Sequence, residues 1–171
     1  MHTSIVQSEP SDIAEIFNLY RAAANFQRSK KTVMVWPDFD PALVENEIAE
    51  GRQFKLLIDG AIACVWAIAF QDPQIWEERD RDPAIYIHRI ATAPQFRGRA
   101  LVKHLVQWAK VYAEKQQKKF VRIDTLGENT RLIAYYQEMG FDFLGIFPLK
   151  NTASLPAHYQ NAPACLFEIQ L

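Results

Sequence analysis

The chain has 171 residues, with 19 Lys and Arg against 20 Asp and Glu, a formal net charge of −1, and two cysteines. A chain of this length suits a single domain, 1–171, able to bury about two-thirds of its surface. Balanced charge gives no support to a nucleic-acid or anionic-membrane partner, and no stretch approaches the ~20 apolar residues that span a bilayer.

Thr3–Gln7 reads as a first strand. Pro10 and Ser11 open a helix, with Ser11 as the expected N-cap and Ile13, Ile16, Phe17 and Tyr20 on one face. Residues 25–38 read as irregular. Asp40 and Pro41 start a second helix that carries Leu43, Val44, Glu47 and Ile48 and stops at Gly51. Strands at Gln53–Ile58 and 62–70 are joined by Asp59-Gly60, a strong two-residue hairpin signal. A long polar loop is expected over 71–83, its run from Glu77 to Asp82 reading as a solvated face.

The next stretch organises the rest. Ile85, Tyr86, Ile87 and Ile90 form a β-branched and aromatic run closed by Pro94. From Leu101 the period becomes helical, with Leu101, Leu105, Trp108 and Tyr112 on one face. Between strand and helix lies Gln95-Phe96-Arg97-Gly98-Arg99-Ala100. Two arginines at a helix N-terminus cost a few tenths of a kcal/mol, up to ~1, unless an anion occupies the site. Gly98 leaves the backbone bare, so a phosphate can approach the amides. The plain alternative is a solvated turn. Further on come a strand at Phe120–Leu126, a helix opened by Asn129, and strands at 141–147 and 164–171, with a loop over 148–163 between these last two. The order of strands and helices predicts an α/β fold with a mixed sheet covered by helices on both faces.

Gln95-x-x-Gly98-x-Ala100 between a strand and an amphipathic helix resembles motif A of the GNAT superfamily, the acetyl-CoA-dependent N-acetyltransferases. Asn129, opening a helix that ends in Tyr136-x-x-x-Gly140-Phe141, resembles that family's other signature, in its order and usual separation. The resemblance implies a mostly antiparallel sheet of about seven strands, splayed between the fourth and fifth so that pantetheine enters the wedge. It implies acetyl-CoA as the cofactor, held by Ile90, Ala91, Thr92, Arg97, Gly98, Arg99, Ala100, Leu101, Val102, Asn129 and Tyr136. A main-chain N–H near Ile90 or Ala91 is the implied oxyanion donor. Which arginine meets a phosphate is open.

Acyl transfer from a thioester to an amine needs a neutral amine and a proton for the thiolate. Tyr136, selected over Tyr135 by the signature, is the expected acid, since a phenol of pKa ~10 can protonate a thiolate whose thiol has pKa ~8.5. Asp124, in a spot where some relatives carry an acidic catalytic residue, and His88, in a core-like run, are the candidate bases. They stand alone or as a carboxylate–imidazole pair. Packing roles are the plain alternatives for all three.

Tyr20, Phe26 and Trp36 are expected to line the acceptor pocket, with Arg28, Lys30 and Lys31 as anion partners and His158 or Tyr159 closing it. Cys64 and Cys165 read as buried hydrophobes of a reduced compartment. No metal spacing appears, and no secretion profile opens the chain. The expected protein is a cytoplasmic acetyltransferase acting on a small-molecule primary amine by direct transfer. An idle acyl-CoA-binding or sensor domain and a protein N-acetyltransferase are the alternatives. The family resemblance also implies a homodimer.

Overall fold

The computed structural model describes residues 1–30, 34–150, 152–155, 159–160 and 162–171. Along the chain run β1 (Thr3–Gln7), α1 (Ile13–Ser29), α2 (Pro41–Ala49), β2 (Gln53–Ile58), β3 (Ala61–Ala69) and α3 (Pro73–Trp76). There follow β4 (Ala84–Thr92), α4 (Leu101–Lys115), β5 (Phe120–Leu126), α5 (Thr130–Glu138), β6 (Asp142–Phe147) and β7 (Ala164–Gln170). The seven strands form one mixed sheet in the order β1-β2-β3-β4-β5-β7-β6. β4 and β5 are parallel, whereas β1–β2, β2–β3, β5–β7 and β6–β7 are antiparallel. This is the expected α/β architecture. The parallel ladder runs from Ala84–Phe120 to Ile87–Ile123 and ends there, while β4 continues to Thr92 and β5 to Leu126.

By contacts the chain falls into two compact units, one of Met1–Ile68 with His88–Leu105, the other of Ala69–Ile87 with Val106–Leu171. In the first, the core gathers Ile16, Leu19 and Tyr20 of α1, Val44 of α2, Val65 of β3 and Ala91 of β4. The alternation of β4 sends Ala91 into that core, which places the flanking Ile90 and Thr92 on the opposite face. The β2–β3 hairpin turns on Asp59 and Gly60, both at positive φ (48° and 83°), as a primed two-residue turn requires. In the second unit, Ile75, Trp76, Ala84, Tyr86, Ala164 and Leu166 form the core.

Several expected boundaries move. Ser11 is not the N-cap of α1: a 3-10 turn over Pro10–Asp12 precedes the helix, and Glu9 caps it reciprocally with Asp12, donating its N–H to the Asp12 carboxylate at 2.7 Å. Residues 25–29, expected to be irregular, complete α1, whose last turn is closed by Ser29 Oγ donating to the Phe26 carbonyl at 2.7 Å. The stretch 71–83 is not a plain loop, although its charged run Glu77–Asp82 keeps no buried residue and stays solvated as expected. It folds into α3 and a 3-10 turn over Glu77–Arg81, because Ile75 and Trp76 are driven into the core.

Arg122 of β5 ties this segment down. Its buried guanidinium donates to the Asp82 carboxylate at 2.5 Å, the Arg79 carbonyl at 2.6 Å, Glu168 at 3.1 Å and Tyr86 Oη at 3.3 Å. The indole of Trp76 and the ring of Phe120 lie 4.7 and 4.8 Å from it. Burial opposes the charge, but the bonds to Asp82, Tyr86 and Glu168 outweigh it and hold the arginine above its ordinary pKa. Among the described residues no helix is long and apolar enough to cross a membrane.

Candidate active site

The Gln95–Ala100 junction takes its shape from two left-handed residues, Gly98 at φ +78° and Ala100 at φ +53°. A 3-10 turn over Pro94–Phe96 leads into it and engages the N–H groups of Phe96 (to the Ala93 carbonyl, 2.9 Å) and Arg97 (to the Pro94 carbonyl, 3.3 Å). The Arg97 amide is therefore already engaged within the turn. Helix geometry leaves the N–H groups of Leu101 and Val102 without an intrahelical acceptor at the positive end of the α4 dipole. A Cβ placed on Gly98 would meet nothing within 4 Å, so space stands open over the bare backbone. An anionic group such as a pyrophosphate fits this junction, with the main chain as donor.

The two arginines differ in what they hold. Arg97 lies over the Phe26 ring at 4.5 Å and donates to the Ala22 carbonyl of α1 at 3.1 Å. Arg99 is exposed beside Phe96, its guanidinium 5.3 Å from that ring. Arg99 is thus the cation presented at the surface of the junction.

Upstream, β4 carries an irregularity that sequence reading missed. Arg89 takes φ +51° inside the strand, a conformation that costs an L-residue roughly 1–2 kcal/mol. Its side chain donates to both carboxylate oxygens of Glu47 on α2 and, at 3.4 Å, to Tyr20 Oη on α1, while stacking over Phe39 at 5.5 Å. Glu47 is only 2% exposed. Burial pushes its carboxyl above the ordinary range, against the pull of Arg89, Arg52 and His88. Burial likewise raises the Tyr20 phenol, which Arg89 pulls down. The signal was a charge at position 47 on the apolar face of α2, beside Val44.

The expected acceptor residues divide. Tyr20 and Trp36 meet edge to face at 5.8 Å, and Phe39 completes an aromatic trio at 5.4 and 5.8 Å. Trp36 is held there by its N–H donating to Gln27 Oε1 at 2.7 Å. Tyr20 is buried, so it forms the floor of this cluster. Phe26, 43% exposed, packs with Arg97 and with Lys30, whose Nζ lies 5.3 Å from the ring. Arg28 pairs with Asn25 at 2.7 Å. Lys31 and His158 lie outside the described residues. His88, in the same unit, is half-buried on β4.

In the second unit, half-buried Asp124 of β5 accepts from Tyr159 Oη at 3.3 Å, and the Asp72 carboxylate comes within 4.8 Å of it. Asn129 caps α5 by accepting the Leu132 N–H at 3.2 Å. Asn129→Ala is therefore expected to remove about 1 kcal/mol of stability, a fall of roughly 2–4 °C in Tm by thermal melting. The helix ends because Gly140 takes φ +98°, which turns the chain so that Phe141 packs edge to face on Tyr136 at 5.8 Å. Phe167 of β7 closes on the same ring at 5.3 Å. Tyr136 is buried and Tyr135 half-buried. Both cysteines are free and buried, and burial pushes the Cys64 thiol up to about 11 and raises that of Cys165.

With this geometry in place, comparison with known proteins is specific. Over 106 residues the chain is 26% identical to the uncharacterized N-acetyltransferase YesJ of Bacillus subtilis, a match spanning 60% of this chain and 59% of that protein. A GNAT-family acetyltransferase structure from Listeria monocytogenes superposes with a TM-score of 0.78 at 24% identity, covering 99% of this chain and 95% of that one. The structure of yncA from Salmonella typhimurium, solved with its cofactor acetyl-CoA, gives 0.69 at 16% identity, covering 100% and 95%. The model of the acetyltransferase (GNAT) family matches residues 13–141, more than half of the sequence, and the chain belongs to that family.

Proposed function

We propose that this chain is one catalytic domain that moves an acetyl group from acetyl-CoA to the primary amine of a small metabolite, by direct transfer in a ternary complex. The observation that carries the reading is Gly98: left-handed, open above its Cα, and placed just ahead of the α4 N-terminus inside the span that the family model matches. Bound acetyl-CoA supplies an activated acyl carbon and a thiol leaving group. Gly98, Arg99, Ala100, Leu101 and Val102 hold the diphosphate through main-chain N–H groups, with Arg99 adding charge. Ile90 and Ala91 offer an N–H to the thioester oxygen, and Thr92 and the side-chain NH2 of Asn129 flank the pantetheine arm. Asp124 and His88 take the proton released as the amine nitrogen bonds the acyl carbon. Tyr136 delivers a proton to the sulfur as the carbon–sulfur bond breaks. The raised thiols of Cys64 and Cys165 favour this direct route over an acyl-enzyme.

The acceptor is proposed to rest against Trp36 and Phe26, over the floor formed by Tyr20. That yncA was solved with acetyl-CoA supports the choice of cofactor. We place the protein in the cytoplasm on its two free, buried cysteines, and as a homodimer on the family resemblance; sedimentation of the purified protein checks the second point.

Calorimetry with acetyl-CoA, followed by thiol release across a library of small amines, tests the reading. Heat of binding together with thiol release for at least one amine is expected. Binding without release from any amine would leave an acyl-CoA-binding domain instead. For the base, Asp124→Asn and His88→Ala are each expected to lower kcat/KM at least about tenfold near pH 6. The deficit should shrink toward pH ~9, because a rising fraction of the amine is then already neutral. Wild-type kcat/KM in both variants between about pH 6 and 9 removes them from the mechanism.

A further inference from the structure

We propose that the Arg89–Glu47 pair is a positioning device that locks the left-handed backbone of β4 at Arg89 and so aims the N–H of Ile90. Its consequence for catalysis rests on the acyl-transfer reading above. An arginine at φ +51° inside a strand persists only where its surroundings enforce it. Here they do: both oxygens of Glu47 and the phenol of Tyr20 accept from its guanidinium, and Phe39 packs against the guanidinium's face. The partners come from α1, from α2 and from the segment between them, so three parts of the first unit converge on one side chain.

Stability alone gives poor reason to keep such a pair. Well-packed apolar residues of similar volume often do as well as a buried ion pair or better. Glycine would reach the left-handed region without penalty, but it would leave the following peptide free to rotate. Arginine held by glutamate does what glycine cannot: it fixes the peptide between residues 89 and 90 in one orientation. Arg89 and Glu47 touch neither acyl group nor amine in this scheme, and both act through the main chain of Ile90.

The test compares wild type, Glu47→Gln and the double variant Arg89→Gly with Glu47→Gln. The double variant leaves no unpaired buried charge and puts glycine at the left-handed position, so it folds even where the single one does not. Glu45→Gln, an exposed carboxylate on the same helix, is the control. In the protein without cofactor, amide hydrogen exchange at Ile90 is expected to speed up in both variants and not in the control. With acetyl-CoA labelled at the thioester carbonyl, the infrared band that shifts on binding wild type should return toward its free position. Affinity for coenzyme A is expected to stay unchanged while kcat falls about a hundredfold, the loss typical of one oxyanion donor. Wild-type exchange, carbonyl band and kcat in the double variant overturn the proposal. A wild-type protein that neither binds nor turns over acetyl-CoA would instead defeat the acyl-transfer reading, and the exchange measurement would still judge the lock.

Discussion

Gly98→Val is expected to weaken acetyl-CoA binding at least about a hundredfold while leaving a folded protein. Gly98 sits at φ +78°, where a β-branched residue is strained by about 1–2 kcal/mol, so the loop would relax toward negative φ and the amides of 98–102 would turn away. Charge-assisted hydrogen bonds contribute about 1.5–3 kcal/mol each, so losing two corresponds to roughly a hundredfold to ten-thousandfold in Kd. The difficulty is to separate this from simple destabilisation. Gly60 provides the control: it has nearly the same backbone angle, φ +83°, and equally open space at its Cβ, but it lies in the β2–β3 hairpin. Gly60→Val should lower Tm by a similar amount and leave the calorimetric Kd for acetyl-CoA unchanged. If both variants weaken binding equally, or if neither does, Gly98 is an ordinary turn glycine and the cradle is wrongly placed.

That glycine was legible before any coordinate was known, and the reason is local. A turn that joins a strand to a helix through a bare backbone is written in consecutive residues, so chain order alone exposes it. The same holds for Asn129 and Gly140, which start and end α5 by rules that act within one turn of helix. The hairpin at Asp59-Gly60 and all seven strands were readable for that reason too. What escaped depends on contacts distant in sequence. Arg122 looked like one charge on a strand, yet it is buried, and its partners come from Arg79, Asp82, Tyr86 and Glu168. With Trp76 it anchors a run of charges that stays solvated on its outer face. Glu47 was a visible anomaly on an apolar face, but its meaning needed Arg89, 42 residues away, in a backbone conformation that composition does not announce. The insertion of β7 between β5 and β6 is likewise a long-range pairing that strand propensity cannot rank.

Tyr136→Phe is the sharper test of chemistry, because it removes one oxygen and keeps a ring that packing requires. That ring lies against Phe141 at 5.8 Å and Phe167 at 5.3 Å, and the residue is 8% exposed, so a merely structural tyrosine would tolerate phenylalanine well. The expected stability change is about 1 kcal/mol or less, the worth of one hydrogen bond. If the phenol instead protonates the departing thiolate, kcat should fall about a hundredfold to ten-thousandfold, with the Kd for acetyl-CoA nearly unchanged. Tyr135→Phe separates the two readings further. Adjacent helical residues point about 100° apart, so only one of the two hydroxyls can face a given sulfur, and the Tyr135 variant should turn over at close to the wild-type rate. The departing group offers an independent check: an acyl donor whose leaving thiol is more acidic needs less help from an acid, so the Tyr136→Phe deficit should narrow with such a donor. An unchanged deficit would assign Tyr136 to positioning, and no deficit at all would return it to the core that Phe141 and Phe167 define.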